Sequence, residues 1–127
     1  MSDNNQQRIC IIDDDEAVRD STRLMLESCG MTVREFASPR EFLDERAFEN
    51  CACLVLDLHM PAMSGLDLLE VLRAKNIAVP AVMVTGYPRE DLAARLRNAG
   101  LSALLRKPVS ENELLDRIAT AIASSLH

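Results

Sequence analysis

The chain has no long apolar segment: no run approaches the roughly 18 consecutive apolar residues that a membrane-spanning helix needs. Its first seven residues, MSDNNQQ, lack the basic and apolar regions of a signal peptide. Basic residues are in deficit, with 14 lysines and arginines against 20 aspartates and glutamates and a net charge of -6, so a nucleic-acid surface is not expected as a direct partner. These absences predict a cytoplasmic protein that binds no membrane and, through this domain, no nucleic acid.

Disulfide frameworks and nucleotide-binding loops are missing as well. The four cysteines, at positions 10, 29, 51 and 53, show no disulfide spacing, and no second pair with metal-ligand spacing accompanies the CAC at 51–53. We therefore expect reduced, structural thiols. The chain contains no GxGxxG, GxxxxGK[ST] or GxSxG motif, which argues against a dinucleotide-binding protein, a P-loop enzyme and a serine hydrolase of the usual kinds.

What is present fits one domain with one core. The chain has 127 residues, of which 48% are apolar and 27% charged, as in ordinary globular proteins. We expect residues 8–127 to form a single domain and residues 1–7 to be a flexible N-terminal segment. Short apolar runs at regular intervals predict five β-strands, at ICII (9–12), TVREF (32–36), CLVL (53–56), AVMVT (81–85) and SALLR (102–106).

Each predicted strand is followed by a helical pattern. The start signals are Ser38 with Pro39, Pro88, and the capping box of Ser110 and Glu113, and the stop signals are Gly30 and Gly100. The positions predicted to face inward are Val18, Thr22, Met25 and Cys29 in the first helix, Leu66, Leu69 and Leu72 in the third, and Leu114, Ile118 and Ile122 in the fifth. Alternating strands and helices predict a doubly wound α/β fold with a parallel sheet covered on both faces.

In such a sheet the functional groups gather at the carboxyl ends of the strands. Reading past each strand gives Asp13 and Asp14 after the first, Asp57 after the third, Thr85 at the end of the fourth and Lys107 after the fifth. An acidic strand end is often only a solvated helix cap, and Asp14 or Asp15 could cap the first helix. The convergence of three carboxylates, a hydroxyl and an ammonium on one edge favours a site.

The chemistry of these groups indicates phosphoryl transfer. The hard oxygen ligands of Asp13, Asp14 and Asp57 suit Mg²⁺, which leaves room for phosphate oxygens. The metal and Lys107 would offset the repulsion among the acids. An aspartate can accept a phosphoryl group as an acyl phosphate, and Lys107 and the Thr85 hydroxyl could hold the phosphoryl oxygens.

Four motifs in register make the chain resemble the receiver domains of bacterial two-component response regulators. They are IIDDDE at the first strand end, LVLDLHMPAMSGLDLL around Asp57, VMVTG at the fourth strand and LLRKP at the fifth, and the resemblance runs from Arg8 to about Ser124. It implies a flavodoxin-like (βα)5 fold with strand order 2-1-3-4-5. It also implies an acid pair at Asp13 and Asp14, a phosphoacceptor at Asp57, a switch hydroxyl at Thr85 and a phosphate-binding Lys107. Two further implications are a backbone carbonyl ligand to Mg²⁺ from His59 and a cis peptide bond between Lys107 and Pro108.

The function implied by the resemblance is a signalling switch, not a metabolic enzyme. Asp57 would accept a phosphoryl group from a sensor histidine kinase or a histidine phosphotransfer protein, with Mg²⁺ as cofactor, and lose it by slow autodephosphorylation. A homodimer that depends on phosphorylation is left open. The segments LDLHMPAMSGLDLL and VTGYP are similar to those of receivers that regulate transcription through a C-terminal helix-turn-helix domain. No such domain occurs in these residues. We therefore expect an excised receiver or a stand-alone regulator.

One position departs from the family pattern. Leu104 stands where the family commonly has the Tyr or Phe whose ring changes orientation on activation. This departure motivates an alternative function, an interaction module that does not depend on phosphorylation. A phosphoaspartyl hydrolase is a third hypothesis. Such an enzyme would need an acid two residues after its nucleophile Asp57, and His59 stands at that position. We expect the His59 side chain to be exposed near the pocket mouth, because Mg²⁺ prefers oxygen ligands, and Tyr87 to lie at the pocket rim.

Overall fold

The computed structural model describes residues 8–125, so the predicted flexible segment at residues 1–7 lies outside the described residues. Within this part of the chain, one parallel sheet has the strand order β2-β1-β3-β4-β5, which confirms the predicted topology. The strands are β1 (Arg8–Ile12), β2 (Thr32–Phe36), β3 (Cys53–Leu56), β4 (Ala81–Thr85) and β5 (Ala103–Arg106). The helices are α1 (Glu16–Ser28), α2 (Pro39–Asp44), α3 (Gly65–Ala74), α4 (Ala93–Asn98) and α5 (Glu111–Ser125). None of these helices is long and apolar enough to cross a membrane.

Two apolar layers cover the sheet, one on each face. Alternate residues of β1 show the division: Cys10 and Ile12 pack with residues of α2, α3 and α4, whereas Ile9 and Ile11 pack with residues of α1 and α5. Every residue of β3 and β4 is buried, as expected for central strands with helices on both sides. Because all five strands run parallel, their carboxyl ends lie at a single edge of the sheet.

The first helix begins at an aspartate cap. Asp15, not Asp14, is the N-cap, since its carboxylate accepts hydrogen bonds from the backbone N–H groups of Ala17 and Val18. The predicted inner face was wrong at its end: Cys29 is exposed, and Leu26 is the residue of this helix that is fully buried. The helix ends at Ser28, so Cys29 lies beyond its last turn and does not continue the inner face.

The fourth helix starts later than predicted. Pro88 does not open it: a short 3₁₀ turn spans Glu90–Leu92, and α4 begins only at Ala93. Neither element has a side-chain N-cap, and Arg89 is extended and hydrogen-bonds Asp91 instead. Residues 86–89 form an irregular loop directly after β4. The first backbone N–H groups of the helical segment that follows have no side-chain cap.

The other helix starts follow the sequence. Ser38 and Ser64 cap α2 and α3, and Ser64 forms a reciprocal capping box with Asp67. Before α5, Ser110 accepts a hydrogen bond from the backbone N–H of Glu113 at 3.1 Å. The cap at Ser64 positions the start of α3 beside the loop that follows β3.

Candidate functional site

Lys107 joins two carboxylates at the open edge of the sheet. Its Nζ lies 2.7 Å from Oδ2 of Asp57 and 3.7 Å from Oδ2 of Asp13. Partial burial of this lysine disfavours the ammonium, but the hydrogen bond to Asp57 and the charge of Asp13 outweigh it and raise the pKa of Lys107. Lys107 is therefore a firmly protonated cation held between the two acids.

Asp13 is the buried acid of the site, with only 5% of its surface exposed. Its Oδ1 accepts a hydrogen bond from the backbone N–H of Asp15 at 2.9 Å. Burial is the main reason that the pKa of Asp13 is raised, and the charges of Asp57 and Asp14 add to the effect. Ionisation of Asp13 is therefore unfavourable in the folded protein, and the charge of Lys107 offsets this cost only in part.

The donor set around these acids fits Mg²⁺. Among residues 8–125, no three carboxylate, imidazole or thiol side chains are close enough to hold a metal ion by themselves. Mg²⁺ does not require such a cage, because it usually binds one or two carboxylates and keeps several waters. Asp13 and Asp57 supply two carboxylates, which meets that requirement. Their closeness contributes to the raised pKa of Asp13, and a bound cation would relieve the repulsion between them. Asp14 is exposed beside them.

Thr85 ends β4 at the same edge and is completely buried. Its hydroxyl oxygen accepts a hydrogen bond from the backbone N–H of Tyr87 at 3.3 Å. Its backbone carbonyl accepts one from the N–H of Lys107 at 2.9 Å, which fixes the end of β4 against the residue that follows β5. Since a threonine hydroxyl can accept and donate at once, the bond from Tyr87 leaves it able to donate a hydrogen bond of its own.

His59 connects the loop after β3 to the loop after β4. Its backbone N–H donates to Oδ1 of Asp57 at 3.1 Å, and its ring Nε2 lies 2.9 Å from the carbonyl oxygen of Tyr87. That carbonyl can only accept, so the hydrogen bond places a proton on Nε2. The side chain is exposed, as predicted, but its contact with Tyr87 was not anticipated, because the two residues are 28 positions apart.

Comparison with known proteins shows to which family the chain belongs. A model of the response regulator receiver domain matches residues 9–119. The chain belongs to this family. It is thus a receiver domain of the kind found in two-component response regulators, and the predicted fold and family are confirmed.

Relatives of this receiver are longer proteins. It is 34% identical over 116 residues to the C4-dicarboxylate transport transcriptional regulatory protein DctR of Rhodobacter capsulatus, covering 90% of this chain and 59% of that protein. It is 33% identical over 115 residues to the transcriptional regulatory protein FixJ of Azorhizobium caulinodans, covering 91% and 54%. The crystal structure of FixJ-N superimposes with a TM-score of 0.84 at 32% identity, covering 93% of this chain and 94% of that one. The chain spans a little over half the length of these curated relatives.

Close backbone packing holds Asp57 of the receiver in place. Gly65, the first residue of α3, approaches the carbonyl oxygen of Asp57 so closely that a Cβ atom at residue 65 would lie 2.4 Å from it. The N–H of Gly65 donates to the carbonyl of Leu58 at 2.9 Å. On the opposite side, the peptide bond between Lys107 and Pro108 is cis, as the resemblance implies. The sequence offered no signal for the tight contact at Gly65 beyond the glycine itself.

The structure gathers most of the predicted site residues but not equally. Asp13 and Asp57 surround Lys107, whereas the Thr85 hydroxyl bonds to its own loop and Asp14 is exposed at the edge. A cavity of about 580 Å³ lies next to these residues, lined by Asp13, Asp57 and Lys107 together with mostly apolar residues of β1, β3, β4, α1 and α5. The acids and the lysine thus meet a space large enough for a small ligand.

Proposed function

We propose that this receiver is a phosphoacceptor switch that takes a phosphoryl group on Asp57. The observation that carries the proposal is the contact of 2.7 Å between Asp57 and Lys107 beside a second, buried carboxylate. Of the acids at this edge, Asp57 alone follows a strand that is buried along its whole length. Family membership supports a sensor histidine kinase or a histidine phosphotransfer protein as the donor.

The reaction needs little covalent chemistry from the protein. A carboxylate oxygen of Asp57 attacks phosphorus, the new O–P bond forms, and the bond from phosphorus to the imidazole nitrogen of the donor breaks. The electron pair of that bond stays with the leaving imidazole. Lys107 turns from the Asp57 carboxylate to pair with the phosphoryl oxygens, and the Thr85 hydroxyl donates a hydrogen bond to one of them.

Asp13 and Asp57, with Asp14 and the His59 backbone carbonyl, are the residues that would hold Mg²⁺, which when bound neutralises phosphoryl charge. The crowding of these acids supports this assignment, since burial and like charge raise the pKa of Asp13. Return to the resting state is proposed to occur by slow hydrolysis of the acyl phosphate. The protein then acts as a timed switch and not as a multiple-turnover enzyme.

Labelling with a small phosphodonor tests the assignment. Acetyl phosphate with Mg²⁺ should add the mass of one phosphoryl group to the protein, as measured by intact-mass spectrometry. Asp57→Asn should abolish the adduct, because the amide is not a nucleophile, while the matched change Asp116→Asn on the exposed face of α5 should leave it unchanged. An adduct that persists in Asp57→Asn would disprove the assignment. A wild-type protein that is never labelled would favour the interaction module that does not depend on phosphorylation.

A further inference from the structure

Arg19 of α1 is a shielded cation that contacts the backbone of the acid pair. Its side chain is only 14% exposed. Nη1 donates a hydrogen bond to the carbonyl oxygen of Asp13 at 2.7 Å, and Nε donates to Oε1 of Glu35 at 3.0 Å. One planar guanidinium therefore links the end of β1 to β2 with two different nitrogens.

The partner at the other end of this bridge is well anchored. Glu35 lies on β2, opposite Ile11 in the parallel ladder between β1 and β2. Its carboxylate also forms an ion pair with Arg23 of α1. Since the rigid fork of an arginine presents its donors in fixed directions, a fixed Glu35 orients the guanidinium toward the Asp13 carbonyl.

The contacted carbonyl belongs to the peptide unit that joins Asp13 to Asp14. A displacement of that peptide unit would move both carboxylates, because the Asp13 and Asp14 side chains are attached to the two α-carbons at its ends. The remainder of Asp13 is already held: its N–H donates to the carbonyl of Phe36 at 3.3 Å and its Oδ1 accepts from Asp15. Arg19 supplies the contact that fixes the peptide between the two acids.

We propose that Arg19 is a positioning residue for the acid pair, oriented by Glu35; this inference rests on the proposed function, in which Asp13 and Asp14 hold Mg²⁺. Mg²⁺ demands near-ideal octahedral geometry, so a displaced peptide unit between two of its ligand residues weakens binding. Loss of an outer hydrogen-bond partner of a metal ligand typically costs about 10-fold to 100-fold in metal affinity. Arg19 touches neither the metal nor the phosphoryl group and acts through Asp13.

The test compares Arg19→Met with the matched control Arg23→Met, which also removes a guanidinium from Glu35 but none from Asp13. Calorimetric titration with MgCl₂ should show affinity at least about 10-fold weaker in Arg19→Met and changed less than about twofold in Arg23→Met. With acetyl phosphate, the rate of adduct formation in Arg19→Met should need more Mg²⁺ but approach the wild-type maximum at saturation. A merely destabilised fold would not produce this separation of affinity from maximal rate.

Two further variants distinguish geometry from charge and from misfolding. Arg19→Lys keeps the charge but cannot span both partners, so its Mg²⁺ affinity should stay weak; full recovery would overturn the positioning role. If Arg19→Met does not fold, Glu35→Gln weakens the anchor with Arg19 intact and should lower Mg²⁺ affinity in the same direction. Wild-type affinity in Arg19→Met, or an equal loss in Arg23→Met, would overturn the inference and leave the proposed function standing. A wild-type protein that does not bind Mg²⁺ would overturn both.

Discussion

Replacing Gly65 by alanine sets two effects of known sign against each other. Gly65 does not have a positive φ angle, so alanine can adopt its backbone conformation, and alanine favours helices over glycine by up to about 1 kcal/mol. The added Cβ, however, would lie 2.4 Å from the carbonyl oxygen of Asp57 and 2.9 Å from Cε of Met83. The methionine end can move aside, but the backbone carbonyl cannot move without displacing the loop that carries Asp57.

The clash outweighs the gain in helix propensity. Forcing a carbon into a well-packed site costs about 1–3 kcal/mol, and a backbone obstacle places Gly65→Ala at the upper end of that range. Subtracting the helix term leaves a net destabilisation of about 2 kcal/mol. For a domain of this size, about 4 °C of melting temperature corresponds to 1 kcal/mol, so Tm should fall by about 8 °C.

Thermal and denaturant unfolding of Gly65→Ala and Gly86→Ala provide the comparison. A Cβ at Gly86 would meet no atom within 4 Å, and Gly86 is not among the residues with positive φ, so its substitution should change stability by less than about 0.5 kcal/mol or increase it slightly. Labelling of folded Gly65→Ala by acetyl phosphate should be slower, because Asp57 is displaced from Lys107. A Gly65→Ala protein as stable as wild type would refute the reasoning.

Two further predictions concern the acids and the loop after β4. Asp13→Asn should raise the Tm of the Mg²⁺-free protein at pH 7. Burial raises the pKa of Asp13, so its ionisation at pH 7 destabilises the folded state, and the amide removes that cost. The gain in Tm should fade as the pH falls toward the ordinary carboxyl range, where the wild-type Asp13 is protonated. Asp14→Asn, at an exposed residue, should change Tm little; an equal gain would mean that repulsion and not burial dominates. His59→Ala should speed amide exchange at Tyr87 by roughly threefold to tenfold, the value of one modest hydrogen bond; unchanged exchange would show that His59 does not restrain the loop.

The fold could be predicted because each strand carries its own local signal. The predicted β2, β3 and β4 match the observed strands residue for residue. The signal is strongest for β3 and β4, which are central and buried along their whole length. Helix ends were less predictable where they depend on capping contacts. At Pro88 a favourable N-terminal residue was present, but the segment forms no side-chain cap, and the helix begins at Ala93.

The site could be predicted for a different reason, which is topology. Parallel strands bring their carboxyl ends to one edge, so residues 13, 57, 85 and 107 meet without any knowledge of side-chain conformation. What the sequence could not reveal are contacts between side chains and distant backbone. The hydrogen bonds from Arg19 to the Asp13 carbonyl and from His59 to the Tyr87 carbonyl leave no pattern in the chain, because each depends on the conformation of a loop.

Those backbone contacts bear on the position at which this receiver departs from its family. Leu104 lies on the edge strand β5, 39% exposed, and has neither a ring to reorient nor a hydroxyl to change partners. Tyr87, by contrast, is 79% exposed, and both its backbone polar groups are bonded to site residues: its N–H to the Thr85 hydroxyl and its carbonyl to His59. A phosphoryl group on Asp57 that drew the Thr85 hydroxyl toward itself would lengthen the first bond, and no side-chain cap holds the segment before α4. Phosphorylation can shift the receiver only through contacts that differ between its two states, so we expect the change to pass through the loop at Tyr87 and not through Leu104.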